Sequence, residues 1–254
     1  VRGPRHRRGV APGSTSTHGG RLSPPRITRL EPISPKGLRV LVHVEAEDPF
    51  EVSLEALERC KVRAGDPLSA DARRELADVD ADVRVHQAAL DLLSYRARTR
   101  RELETRLRRK GFTAARIRPC LDALEGQGLL DDGAVAAALV RDRLRHRPRG
   151  RSALVSELRS KGIDAELASE AIERVYGDED VTDASLAKEA AESWLARQGT
   201  ATLEALASSG HAPERDKARR RVYGYLARRG FRGDALTDAL EHAVRRARED
   251  SEPG

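Results

Sequence analysis

The sequence predicts a mainly α fold, with tandem three-helix repeats forming an elongated helical array, preceded by a small β-containing N-terminal subdomain. Three observations carry that expectation. A six-residue phrase recurs as Leu107–Phe112 (LRRKGF), Leu158–Ile163 (LRSKGI) and Leu226–Phe231 (LARRGF). Each copy closes a stretch with helical hydrophobic spacing and is followed by another such stretch. Aromatic residues supply only 3% of the chain and charged residues 35%. The core must therefore come from Leu, Ala, Val and Ile, which suits helices better than a large sheet.

The phrase reads as a helix stop. Glycine takes the left-handed backbone conformation just past a helix end without strain. The apolar residue after it folds back on the leucine, as in a Schellman cap. The Lys or Arg before it meets the partial negative charge of the helix C-terminus. Three such stops make a repeated unit.

Residues 1–25 carry five arginines, no acid and four aliphatics. That is too little apolar surface to offset ordering, so a disordered basic tail is expected. Residues 26–82 read as a small α+β subdomain. Arg26–Leu30 and Leu38–Val44 have strand character around the turn-like Pro35-Lys36-Gly37, and Phe50–Val52 forms a third strand. Ser53 caps a short helix, Asp66-Pro67 breaks the chain, and Ser69 or Asp71 caps a further short helix ending near Ala77.

Residues 83–128 make the first repeat. Its first helix, about 84–97, turns Val85, Ala89, Leu92 and Leu93 inward. Its second opens on the capping-box pattern Thr99-Arg-Arg-Glu102 and buries Leu103 and Leu107, with Glu102–Arg106 and Glu104–Arg108 paired along its surface. Its third starts at Thr113 and buries Ile117, Leu121 and Leu124. Residues 129–177 repeat the pattern with Val135, Leu139 and Leu144, then Leu154 and Leu158, then Leu167, Ala171, Ile172 and Val175. Residues 178–249 repeat it again with Leu186, Ala190 and Leu195, then Val222 and Leu226, then Leu236, Leu240 and Val244. An inserted loop near 199–212 explains why successive cap glycines lie 51 and then 68 residues apart.

Nothing in the sequence marks an active site. The histidines show no ligand spacing, and no nucleophile elbow, Walker loop or Rossmann fingerprint is present. A non-enzyme with no cofactor and no metal is expected. The adjacent carboxylates Asp131 and Asp132 are explained by helix-start capping, and Cys120 by a buried, inert thiol. Cys60 and Cys120 form no CxxC, which fits a reduced, cytoplasmic setting. No apolar run reaches membrane-spanning length and no secretion signal is evident.

The net charge of +6 is unevenly spread: residues 84–130 carry 11 Lys or Arg against 5 acids, whereas 178–254 carry 13 against 15. The strongest functional feature is a set of basic turns. The first holds Arg96, Arg98, Arg100 and Arg101, followed by Arg106, Arg108, Arg109 and Lys110; the second holds Arg145, Arg147, Arg149 and Arg151; the third holds Arg219–Arg221. Arginine's rigid fork suits carboxylate or phosphate recognition, and basic turns on stacked units would line one extended surface. The aromatics are too few for a base-stacking platform, and no helix carries a row of base-reading side chains.

Ala88–Leu103, Leu107–Phe112, Gly128–Asp132 and Leu158–Ile163, in this order and spacing, resemble the RecX family, regulatory proteins of the RecA recombinase. The resemblance spans about 84–247, and 26–80 is similar to an N-terminal extension that some members carry. It implies a monomeric, elongated helical modulator that lodges in the groove of the RecA–DNA filament. There it blocks ATP hydrolysis, strand exchange and co-protease activity, and so modulates DNA repair, homologous recombination and the SOS response. It also implies weak binding of single- and double-stranded DNA through the basic surface, so the arginines above are expected to face filament and DNA. Val135 and Ala136–Ala138 stand where relatives usually place aromatics, so contacts made by those rings do not carry over. The alternative is a direct DNA-binding protein, architectural or transcriptional, acting without RecA.

Overall fold

The computed structural model describes residues 23–33, 38–209 and 212–251. The basic tail through residue 22, the turn at Pro35–Gly37 and the Gly210-His211 step therefore lie outside the described residues. The chain divides into two compact units at Val83 and Arg84.

In the first unit, β1 (Ile27–Pro32), β2 (Arg39–Val44) and β3 (Phe50–Ser53) form an antiparallel sheet in that order. Leu30 pairs with Val42 and Val40 with Val52. Alternate residues of a strand face opposite sides, and β2 accordingly buries Val40, Val42 and Val44. Ser53 accepts from the Ala56 amide at 3.2 Å and starts α1 (Leu54–Arg59), as the sequence predicts. Ala56, Leu57, Leu68 and Leu76 close the core over the sheet. Buried Asp80 accepts from the Ser53 amide at 2.5 Å and from Arg39 at 3.0 Å, which ties the following helix to the strands.

That helix corrects one expectation. Ser69 does cap it, accepting from Ala72 N at 3.1 Å, but it does not stop near Ala77. α2 runs unbroken from Ala70 to Tyr95. The acidic stretch through Asp78, Asp80 and Asp82 interrupts apolar periodicity, yet the segment holds no Gly or Pro to end a helix.

The second unit takes the end of α2 and then α3 (Arg100–Arg109), α4 (Ala114–Gly126), α5 (Asp132–His146), α6 (Arg151–Ser160), α7 (Ala165–Asp178), α8 (Asp183–Leu195), α9 (Thr200–Ala207), α10 (Pro213–Arg228) and α11 (Gly233–Glu249). All three recurring phrases form Schellman caps. Gly111, Gly162 and Gly230 sit at φ of +91°, +90° and +90°. The amides of Phe112, Ile163 and Phe231 donate to the carbonyls of Leu107, Leu158 and Leu226 at 3.3, 3.2 and 3.3 Å.

The first repeat has its own core of Val85, Ala89, Leu103, Leu107, Ile117, Leu121, Leu124 and Leu130, with Cys120 beside them. The second and third repeats share a single core that includes Leu154, Leu158, Ile172, Leu186, Trp194, Leu226 and Phe231. One inward face and one expected loop differ from expectation. α5 buries Ala136, Ala137 and Val140, while Val135, Leu139 and Leu144 are only half-buried. The stretch Val135–Val140 is apolar all round, so periodicity could not select a face. The expected loop near 199–212 contains α9 instead, and its Leu206 is fully buried in the shared core.

Candidate binding surface

The basic turns open the middle helix of the first two repeats, and four of their arginines, Arg98, Arg100, Arg149 and Arg151, are bound within the repeats. At the start of α3, Thr99 Oγ1 accepts from the Glu102 amide at 3.2 Å and donates to the Lys161 carbonyl at 2.7 Å. Only half of the expected capping box forms. The Glu102 carboxylate turns away from the backbone and accepts from Arg96 at 2.9 Å and Lys161 Nζ at 3.2 Å, not from Arg106. Burial alone would raise the Glu102 carboxyl, but the bonds from Lys161 and Arg96 outweigh it and hold it below the ordinary value. The Arg100 amide donates to Asp132 at 2.7 Å, and its guanidinium reaches Asp122 and Glu125, each at 2.5 Å.

The second repeat reproduces this wiring. The Arg151 amide donates to Asp183 at 3.0 Å and its guanidinium binds Glu173. The sequence offsets are the same in both repeats, 32 residues to the acid that takes the amide and 22 to the acid that takes the fork. The cap of the next repeat again docks here: Gly150 N donates to the Arg229 carbonyl at 2.9 Å and Ser152 Oγ to the Gly230 carbonyl at 2.8 Å. The second and third recurring caps are thus also plugs for the preceding repeat. In the third repeat the position matching Thr99 and Gly150 is Ala218, buried within α10. The helix runs straight through, so the series ends there.

These contacts sort the predicted residues. Arg96 and Arg108 are ion-paired with Glu102 and Glu104. Arg100, Arg149 and Arg151 are bound to carboxylates, Arg149 to Glu157 at 3.1 Å. Arg98 is buried rather than surface-facing. Its Nε donates to the Leu92 carbonyl at 2.9 Å, Nη1 has no hydrogen-bond partner among the described residues, and burial, with Arg96 and Arg106 nearby, lowers its pKa. Arg101, Arg106, Arg109, Lys110, Arg145 and Arg147 are exposed and make no ion pair among the described residues. Arg101 also packs its stem against Gly162.

Sequence reasoning missed the acids. Asp131 does cap α5, accepting from Ala134 N at 2.8 Å, but Asp132 serves α3, and burial raises its carboxyl above the ordinary value. Asp183 takes the Tyr176 hydroxyl at 3.0 Å as well, and burial first, then Asp183, holds that phenol well above its usual range. Glu157 gathers Arg143 and Arg149, and the Arg143 bond holds its carboxyl low. The shared 32-residue offset from arginine to aspartate was the signal available in the sequence. Among the described residues no group of three or more His, Cys, Asp or Glu is placed to hold a metal ion, and no helix is long and apolar enough to cross a membrane.

Three-helix units that plug into one another through basic turns define a helical-repeat protein. The family described as RecX, first three-helix domain, matches residues 86–124, and RecX, second three-helix domain, matches residues 131–172. The Regulatory protein RecX of Halorhodospira halophila is 36% identical over 170 residues, covering 67% of this chain and 92% of the relative. That of Pelodictyon phaeoclathratiforme is 32% identical over 165 residues, covering 65% and 92%. A crystal structure of regulatory protein RecX shares the fold with a TM-score of 0.67 at 22% identity, covering 85% of this chain and 99% of its own. The chain belongs to the RecX family.

Proposed function

We propose that this protein is a non-catalytic regulator of the RecA recombinase. It binds in the groove of the RecA–DNA filament and suppresses ATP hydrolysis, strand exchange and co-protease activity. Through that inhibition it modulates DNA repair and the SOS response. Membership of a family whose relatives are named regulatory proteins carries this reading. The division of the arginines supports it. Arg98, Arg100, Arg149 and Arg151 are committed to the repeats themselves, which leaves Arg101, Arg106, Arg109, Lys110, Arg145 and Arg147 to meet carboxylates of a partner or phosphates of its DNA. Arg106, Arg109 and Lys110 are spaced three and four apart, so they share one face of α3 and its cap.

The test is charge reversal at side chains that make no ion pair among the described residues. Arg106→Glu, Arg109→Glu and Lys110→Glu together should weaken filament binding by roughly 100-fold, from the loss of two or more charged contacts. Far-UV circular dichroism should keep the parent's helical signature, with a modest fall in the unfolding midpoint because the reversed charges meet the negative end of α3. Filament binding at parental strength would remove this surface from the mechanism.

A further inference from the structure

The third repeat balances 13 Lys or Arg against 13 acids, yet its α10 carries a stripe of four cations with no acid among them. Lys217, Arg220, Arg221 and Arg228, with Trp194 and Gln198, line an open cavity of about 490 Å³. The spacing 217, 220, 221, 228 places all four on one face of the helix. None of the four makes an ion pair among the described residues. Acids of this region pair elsewhere: Glu192 with His242, and Glu249 and Asp250 with Arg246. Like charges left together on one face repel, at a cost to the helix.

A second feature lies in the same stripe. Gly224 sits inside α10, where glycine is less stable than alanine. A Cβ there would come within 3.0 Å of Arg228 Nη1. The missing side chain leaves room for the Arg228 fork to lie over the helix beside the other three cations. Trp194 is only 7% exposed, so the indole forms a floor and offers no face for stacking a base.

We infer that this cavity is a phosphate-chain site, one that takes several linked phosphates through charge and guanidinium forks without reading a base. From Lys217 to Arg228 the helix rises about 16 Å, which suits a row of anionic groups better than a single ion. The phosphates are those of a free polyphosphate or nucleotide, or those of a nucleic-acid backbone. This site is carried by α8, α10 and the Gln198 turn, not by α3, and it does not rest on the RecA reading.

The chain has one tryptophan, and it lines the cavity, so Trp194 emission reports on the site directly. The full chain is titrated with inorganic tripolyphosphate, with a thymidine oligonucleotide and with poly-glutamate. A saturable change in emission with either phosphate probe is expected. Arg220→Glu with Arg221→Glu, both exposed positions, should weaken it roughly 100-fold. Arg106→Glu with Lys110→Glu should leave it unchanged. Gly224→Ala should raise the melting temperature of the protein while weakening the response several-fold, which separates loss of the site from loss of the fold. A response to tripolyphosphate identifies free phosphate chains as ligands, and a response to the oligonucleotide alone identifies a strand backbone. No saturable response to either phosphate probe would overturn the site. So would a response untouched by the reversal at Arg220 and Arg221, or one stronger for poly-glutamate.

Discussion

Gly111, Gly162 and Gly230 share one backbone conformation, but their surroundings differ. Around Gly111 nothing lies where a Cβ would go, so Gly111→Ala costs only the left-handed strain, about 1 kcal/mol. At Gly162 the new methyl would strike Arg101 Cβ, which no rotamer change can move, so α3 would have to shift. At Gly230 it would meet Ala153, whose backbone nitrogen lies within 2.5 Å and cannot yield without shifting α6. Denaturant unfolding of the three alanine variants should therefore show larger losses for Gly230 and Gly162 than for Gly111; three equal losses would mean that the caps do not plug the neighbouring repeats. The caps themselves were legible in the sequence because every part of a Schellman cap lies within six residues. Their second role was not, because Lys161 and Thr99 lie 62 residues apart. Nor could the sequence single out Arg98 as the guanidinium that folds inward, since each neighbouring arginine has the same chemistry.

At the scale of elements, carboxylates hold the basic turns, and their titration has a definite sign. Glu102 and Glu157 have folded pKa values below the ordinary carboxylate value. Their contribution is therefore present above that value and is lost as pH falls through the depressed folded one. Asp132 is opposite in sign. Its folded pKa is raised by burial, so its ionisation opposes folding as pH rises, and acid relieves that cost. In an acid titration followed by circular dichroism, Glu157→Gln should flatten the low-pH loss of stability and lower stability near neutrality. A variant with the parent's full acid sensitivity would show that Arg143 and Arg149 do not depend on that carboxylate. Elements were legible where periodicity was clean, as with Leu103 and Leu107 or Leu154 and Leu158. They were obscured where a segment is apolar all round, as in α5, or where acids interrupt a helix without stopping it, as in α2. α9 was hidden because Gly199 and Ser208 bracket it with loop chemistry, although Leu203 and Leu206 keep helical spacing.

Across the repeats, cohesion is uneven. The second and third share one apolar core, whereas the first keeps a separate core and joins the second through Thr99, Arg100, Glu102 and Lys161. In repeat proteins stability divides into units and the interfaces between them, and a polar joint opens more readily than a continuous core. Native-state hydrogen exchange should show buried amides of α6, α7, α8, α10 and α11 exchanging as one cooperative block, with those of α3 and α4 forming a second, less protected block. A single rate across both would contradict the division.

The regulatory proposal is tested most directly by RecA's DNA-dependent ATP hydrolysis, with the protein titrated onto preformed single-strand filaments. Anisotropy of the same DNA without RecA is followed in the same buffer. A filament-directed regulator inhibits hydrolysis at concentrations far below those that bind bare DNA. Inhibition that appears only where bare DNA is already saturated, or none at all, would contradict it and give way to direct DNA binding.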